Sequence, residues 1–180
     1  MKIWQALRQA GAGWRMILRG EAGWQEHFRL SMAGLFTALV LFYAFAFLAV
    51  VLASLQVGVP TLGGFLDIMV VQSLWLGALL IGVYGTRFAL KDTNSALPLL
   101  VPGIYAMIAY LVLGSLVSLV FGILLPLLWL GLAWMFFRLG RVAGGWTIGV
   151  SAAFSLLTVV LLVGLPMTLY MLATTFTPIA

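Results

Sequence analysis

Between Thr93 and Phe137 the chain runs for 45 residues without an Asp, Glu, Lys, Arg or His. From Leu97 onward such a run would rise about 60 Å as one helix, roughly twice the ~30 Å hydrocarbon core of a bilayer. It therefore has to turn back on itself. A second limb starting at Pro126 would leave 12 residues before Arg138, too few to cross, which places the expected turn around Ser115 to Gly122 and the two spans at about 98–116 and 120–137. Three further apolar runs predict spans at about 32–55, 65–86 and 146–172, giving five. The fold class expected is all-α: a polytopic integral membrane protein of five transmembrane helices preceded by a cytoplasmic amphipathic helix. Residues 1–29 form the cytoplasmic interfacial segment and 30–180 the five-span domain, with a short re-entrant hairpin as the alternative for 97–137.

Local signals agree with these limits. Gly58, Pro60, Gly63 and Gly64 turn the charge-free stretch between the first two spans. Asn94 or Ser95 can cap the third, with Pro98 in its first turn, where a missing N–H does no harm. In the N-terminal segment Ile3, Trp4, Leu7, Ala10, Gly11, Trp14, Ile17 and Leu18 recur at helical spacing. Lys2, Gln5, Arg8, Gln9, Arg15 and Arg19 fall on the opposite side, the pattern of a helix lying in the headgroup region. Trp4, Trp14 and Trp24 are the expected interfacial anchors, with Arg15 and Arg19 directed toward anionic lipid. Gly11 and Gly13 each weaken helix by about 1 kcal/mol, so a break is expected between them. Arg8, Arg15 and Arg19 interrupt any apolar h-region after Lys2, and the segment is expected to stay on the protein.

Composition and charge sharpen this reading. With 64% hydrophobic and 7% charged residues, the chain is solvated mainly by lipid, since about a quarter of soluble-domain residues are usually charged. The formal charge of +5 reads as a topology signal, and no nucleic-acid partner is expected. With the N-terminus inside, Lys2, Arg8, Arg15, Arg19, Arg29, Arg87, Lys91, Arg138 and Arg141 all fall on the cytoplasmic side, and the C-terminus is external. Anionic headgroups on that side are the expected lipid partner. Short loops without glycosylation sequons suit a bacterial inner membrane. The chain has no cysteine, which removes disulfides and thiolate chemistry.

Polar residues inside the spans are few. Asp67, two residues into the second span, and Gln72 form the candidate ion or proton site. An Asp in a first helical turn is also favoured by the exposed N–H groups there, and that reading carries more weight. His27, beside Glu26, has no second ligand at helical spacing, and no metal or cofactor site is expected. No nucleophile stands with a base, and no set of carboxylates could hold a metal, so no catalytic residue is expected. Two patterns point to helix contacts instead. Gly145, Gly149 and Ala153 make a small-xxx-small ladder, a candidate packing seam either within the bundle or toward a neighbour. Leu74-Trp75-Leu76-Gly77 and Leu128-Trp129-Leu130-Gly131 each precede an Arg by the same interval, as in a duplicated hairpin. The function expected is that of a non-catalytic accessory or scaffold subunit in a complex with other membrane proteins or with itself. The alternative is a small transporter or channel-like protein using Asp67 and Gln72.

Overall fold

The computed structural model describes residues 3–176, with the side chains of residues 3, 55–57, 119–122, 173 and 176 outside that description. Six α-helices follow one another: α1 Ile3–Arg19, α2 Met32–Val57, α3 Leu62–Ala89, α4 Leu97–Phe121, α5 Leu125–Val142 and α6 Ile148–Phe176. There is no strand among the described residues. Helices α2 to α6 are each long and apolar enough to cross a membrane, and α1 is amphipathic. The protein is an all-helical, multi-pass membrane protein.

The helix starts obey local chemistry. Ser31 caps α2 by accepting from the Gly34 N–H at 3.2 Å, and Thr61 caps α3 by accepting from Gly64 at 3.2 Å. Each supplies a partner to a first-turn donor that has none within the helix. Pro126 falls in the first turn of α5, where its missing N–H is tolerated.

The turn between α4 and α5 lies at Gly122–Leu124, later than the expected Ser115 to Gly122. The expected limits of 98–116 and 120–137 are corrected to 97–121 and 125–142. An end at Phe137 is expected because Arg138 is the first charge after the apolar run. In the structure the helix continues past Arg138 and Arg141 to Val142, so its 18 residues reach about 27 Å. Arg138 is half-buried, and its Nη2 donates to the Ile17 carbonyl of α1 at 3.3 Å. That contact lets a guanidinium ride inside the last turns of a span. Both limbs of the hairpin are long and apolar enough to cross a membrane.

Sequence neighbours are not always spatial neighbours. α2 packs on α4, α4 on α5, α5 on α6 and α6 on α3, while α2 and α3 meet along a much smaller surface. Helix α4 is central: 50% of its span is buried, against 22–33% in the other four. The close crossings use small residues. A Cβ on Gly82 of α3 would run into Thr158 Oγ1 of α6, one on Gly140 of α5 would lie 3.1 Å from Ser151 Oγ, and one on Gly103 of α4 would lie 3.1 Å from Leu79. In lipid, where apolar side chains gain nothing by leaving the solvent, such close approach and a few interhelical hydrogen bonds hold helices together. Ser155 Oγ of α6 provides one, donating to the Ala133 carbonyl of α5 at 2.6 Å.

All the described Lys and Arg residues sit at one end of the bundle, on α1, the α1–α2 connection, the end of α3 and the turn after it, and the end of α5; Lys2 lies outside the described residues. The turns at that end are tied by their own cations. Arg87, 7% exposed, meets Asp92 at 3.2 Å and donates to the Asp92 carbonyl. The Asn94 N–H, donating to Asp92 Oδ1 at 2.9 Å, and then the Arg87 guanidinium hold the Asp92 carboxyl below the usual carboxylate range. Arg141 similarly donates to the Trp146 carbonyl across the α5–α6 turn at 2.6 Å.

Candidate functional site

Helix α1 is continuous through Gly11 and Gly13, contrary to the expected break. The reason lies in what the glycines face. Gly13 is buried against the ring of Phe28, which a Cβ would strike, so it permits a close approach where it was expected to interrupt the helix. Ala6, Ala10, Trp14 and Ile17 form the inward stripe of α1, each 6% exposed or less. Trp14 Nε1 donates to the Pro102 carbonyl of α4 at 3.0 Å, a buried hydrogen bond spanning 88 positions of sequence.

After α1 the chain reverses through Gly20 at φ 76° and Gly23 at φ 84°, conformations that cost a residue with a Cβ and suit glycine. The 3-10 turn Trp24–His27 then packs Trp24 under α1, 3% exposed and edge-on to Phe28 at 6.0 Å; Phe28 continues onto Tyr105 of α4 at 5.9 Å. The anchoring role expected of Trp14 and Trp24 is corrected, because both are buried in protein: Trp14 against α4 with the Pro102 carbonyl as acceptor, and Trp24 beneath α1 against Phe28. Trp4, 74% exposed, stays outside, as do Arg15 and Arg19, the latter in a 3.6 Å surface pair with Glu21.

Two concavities flank the contact line of α1, with Tyr105 in the wall of both. One is a crevice of about 220 Å³ with a mixed lining: Ala6 and Gln9 of α1, Glu26, His27, Phe28 and Arg29 of the connection, Gly34 and Thr37 of α2, and Val101 and Tyr105 of α4. The other is an almost wholly apolar groove of about 440 Å³, roofed by Trp4, Leu7 and Trp14 and floored by Ile108 and Val112 of α4. In the sequence His27 and Glu26 show no ligand spacing. The signal available was their position at the mouth of the first span, which becomes informative once α1 folds back over it.

The other sequence candidates are dispersed. Asp67 lies in the second turn of α3, not the first, because the helix begins at Leu62 rather than at Phe65. It is exposed, whereas Gln72 is buried, so the two do not form one site. Gln72 is 9% exposed and its Oε1 has no hydrogen-bond partner. It borders a cleft of about 500 Å³ between α2 and α3, walled by Ala49, Val50, Ala53, Ser54 and Ile68, from which Asp67 is absent. Gly145, Gly149 and Ala153 are all exposed, and Gly145 and Gly149 face open space, so the ladder is no seam within the bundle. Trp75 and Trp129 of the two Leu-Trp-Leu-Gly stretches come together edge-on at 5.9 Å, with Tyr110 against both at 5.6 and 4.8 Å. Equal spacing from the Arg residues brings them to one depth. Comparison of the chain with protein-family models, with curated proteins and with solved structures finds no match to any of them.

Proposed function

We propose that the protein is a non-catalytic subunit of a larger assembly in a bacterial inner membrane, acting through helix contacts along the outward face of α6. The observation that carries this reading is the exposure of Gly149 and Ala153, one turn apart, with the exposed apolar residues Leu156 and Val160 continuing the face. Small residues at that spacing allow a second helix to approach the α6 backbone, and the bundle itself leaves them unused. The gathering of Lys and Arg at one end supports an orientation with the N-terminus cytoplasmic and the C-terminus external, beside anionic headgroups.

Gentle solubilisation from native membranes followed by affinity purification should recover a partner in fixed proportion. Gly149→Leu together with Ala153→Leu should abolish that recovery while leaving the helicity and melting of the purified protein unchanged. Recovery of the protein alone, or a partner indifferent to both changes, defeats the reading.

A second reading, transport of a small polar solute, draws on the unpaired Gln72 Oε1 at the α2–α3 cleft. It requires that Gln72→Leu remove flux in vesicles with assembly intact. Unchanged flux removes that reading, and Asp67→Asn serves as the exposed comparison.

A further inference from the structure

We propose that the crevice beside α1 binds the headgroup of a zwitterionic phospholipid, phosphatidylethanolamine, independently of any partner on α6. Its position is the first argument. Glu26, His27 and Arg29 precede Met32, the first residue of α2, and Thr37 lies little more than one turn into that span, so the crevice straddles the level where a lipid headgroup lies. The connection cannot drift from that level, because on either side of Glu26 and His27 Trp24 is buried beneath α1 and Phe28 is buried between Gly13 of α1 and Tyr105 of α4.

Charge is the second argument. The crevice presents a carboxylate, Glu26, and a guanidinium, Arg29, from one short segment, with the hydroxyls of Thr37 and Tyr105 and the amide of Gln9 as neutral partners. Neither charge is engaged in an ion pair within the protein among the described residues. A purely anionic headgroup would meet Glu26 unfavourably, and a simple cation would meet Arg29 unfavourably. A primary ammonium next to a phosphate satisfies both, the phosphate taking charge-assisted hydrogen bonds from Arg29 and the ammonium donating to Glu26. The volume of about 220 Å³ admits a headgroup rather than a whole lipid. The chains have a path, since Phe36 and Val40 continue from the crevice down the outer face of α2, 68% and 51% exposed. Gly34 keeps the floor low: a Cβ there would strike the Arg29 carbonyl and push the segment carrying Arg29 away from α2.

The test is native mass spectrometry of the full-length protein from micelles doped with equal amounts of phosphatidylethanolamine, phosphatidylglycerol and phosphatidylcholine. Phosphatidylethanolamine should be retained in preference to the other two by about tenfold, the effect of one ammonium–carboxylate hydrogen bond, which phosphatidylglycerol lacks the ammonium and phosphatidylcholine the N–H to make. Glu26→Gln should erase the preference over phosphatidylcholine, whose quaternary ammonium has no N–H. Arg29→Gln should lower retention of all three, and Arg8→Gln, on α1 outside the crevice, should change nothing. Equal retention of phosphatidylcholine, stronger retention of phosphatidylglycerol, or an unaltered preference in Glu26→Gln overturns the proposal. Displacement of the lipid by water-soluble phosphoethanolamine at matched concentration overturns the lipid assignment. A melting shift of the unmodified protein with added phosphatidylethanolamine, absent with phosphatidylcholine, checks the same preference without any substitution.

Discussion

Replacing Trp14 with alanine should release α1 from the bundle while leaving the five spans assembled. Truncating a buried Trp costs about 3–5 kcal/mol, and Trp14 is 6% exposed and donates a buried hydrogen bond to Pro102. The other fully buried residues of the α1 stripe are small apart from Ile17, the helix's other hydrogen bond to the spans is the one Arg138 donates to the Ile17 carbonyl, and Phe28 links it to α4 only indirectly. A helix of 17 residues held by so narrow a stripe cannot absorb that loss. Hydrogen exchange should show residues 3–19 losing protection in Trp14→Ala, with α3 to α6 unchanged. Trp14→Phe keeps most of the apolar contact and loses the donor, which costs about 1 kcal/mol, so it should fall between. Retained protection in Trp14→Ala would mean that α1 is fixed by something other than this residue.

The second large effect is expected at Gly82. A Cβ there meets Thr158 Oγ1 and lies 3.3 Å from Thr158 Cβ and 3.4 Å from Phe154. Neither neighbour has room to retreat. The Thr158 hydroxyl is fixed on the Phe154 carbonyl at 2.8 Å, and the Phe154 ring is held between Trp146 at 5.2 Å and Phe136 at 6.1 Å. Gly82→Ala should therefore cost about 1–3 kcal/mol, the usual range for overpacking, read as a lower melting temperature in detergent. Gly85→Ala, three residues on with nothing near it, should be neutral to slightly stabilising, since alanine favours helix over glycine by up to about 1 kcal/mol. Adding Thr158→Ala to Gly82→Ala removes the first clash and should recover part of the loss. A double variant no more stable than Gly82→Ala alone would show that the crossing is not limited by this contact.

The number of spans was legible because apolar runs of membrane length can hardly be anything else in a chain with so few charges. Their faces were not. Helices α2, α3, α4 and α6 have almost no side more polar than another, since lipid and protein interior are equally apolar, and periodicity therefore cannot say which face is buried. The ladder of Gly145, Gly149 and Ala153 lies on the outward side of the bundle, while the seams in use within it, Gly82 with Thr158 and Gly140 with Ser151, pair residues from different helices. No scan along one segment can see such pairs. For α1 the opposite held: its amphipathic pattern was plain, but amphipathicity does not distinguish a lipid surface from a protein surface as the apolar neighbour. Glu26 and Arg29 pass as ordinary juxtamembrane charges in the sequence because their shared crevice exists only after α1 has folded back onto α4 and α5.

The two ties of α1 reach far along the chain, from Trp14 to Pro102 and from Ile17 to Arg138, across 88 and 121 positions. During synthesis at roughly 5–20 residues per second, α1 leaves the ribosome many seconds before either partner exists. In that interval its apolar stripe has the bilayer surface as its available shelter, the very state its sequence describes. Docking onto α4 is then a late transfer from lipid to protein, completed when Arg138 arrives. The N-terminal helix would thus record the progress of insertion, free while the hairpin α4–α5 is unfinished and clasped once it has closed.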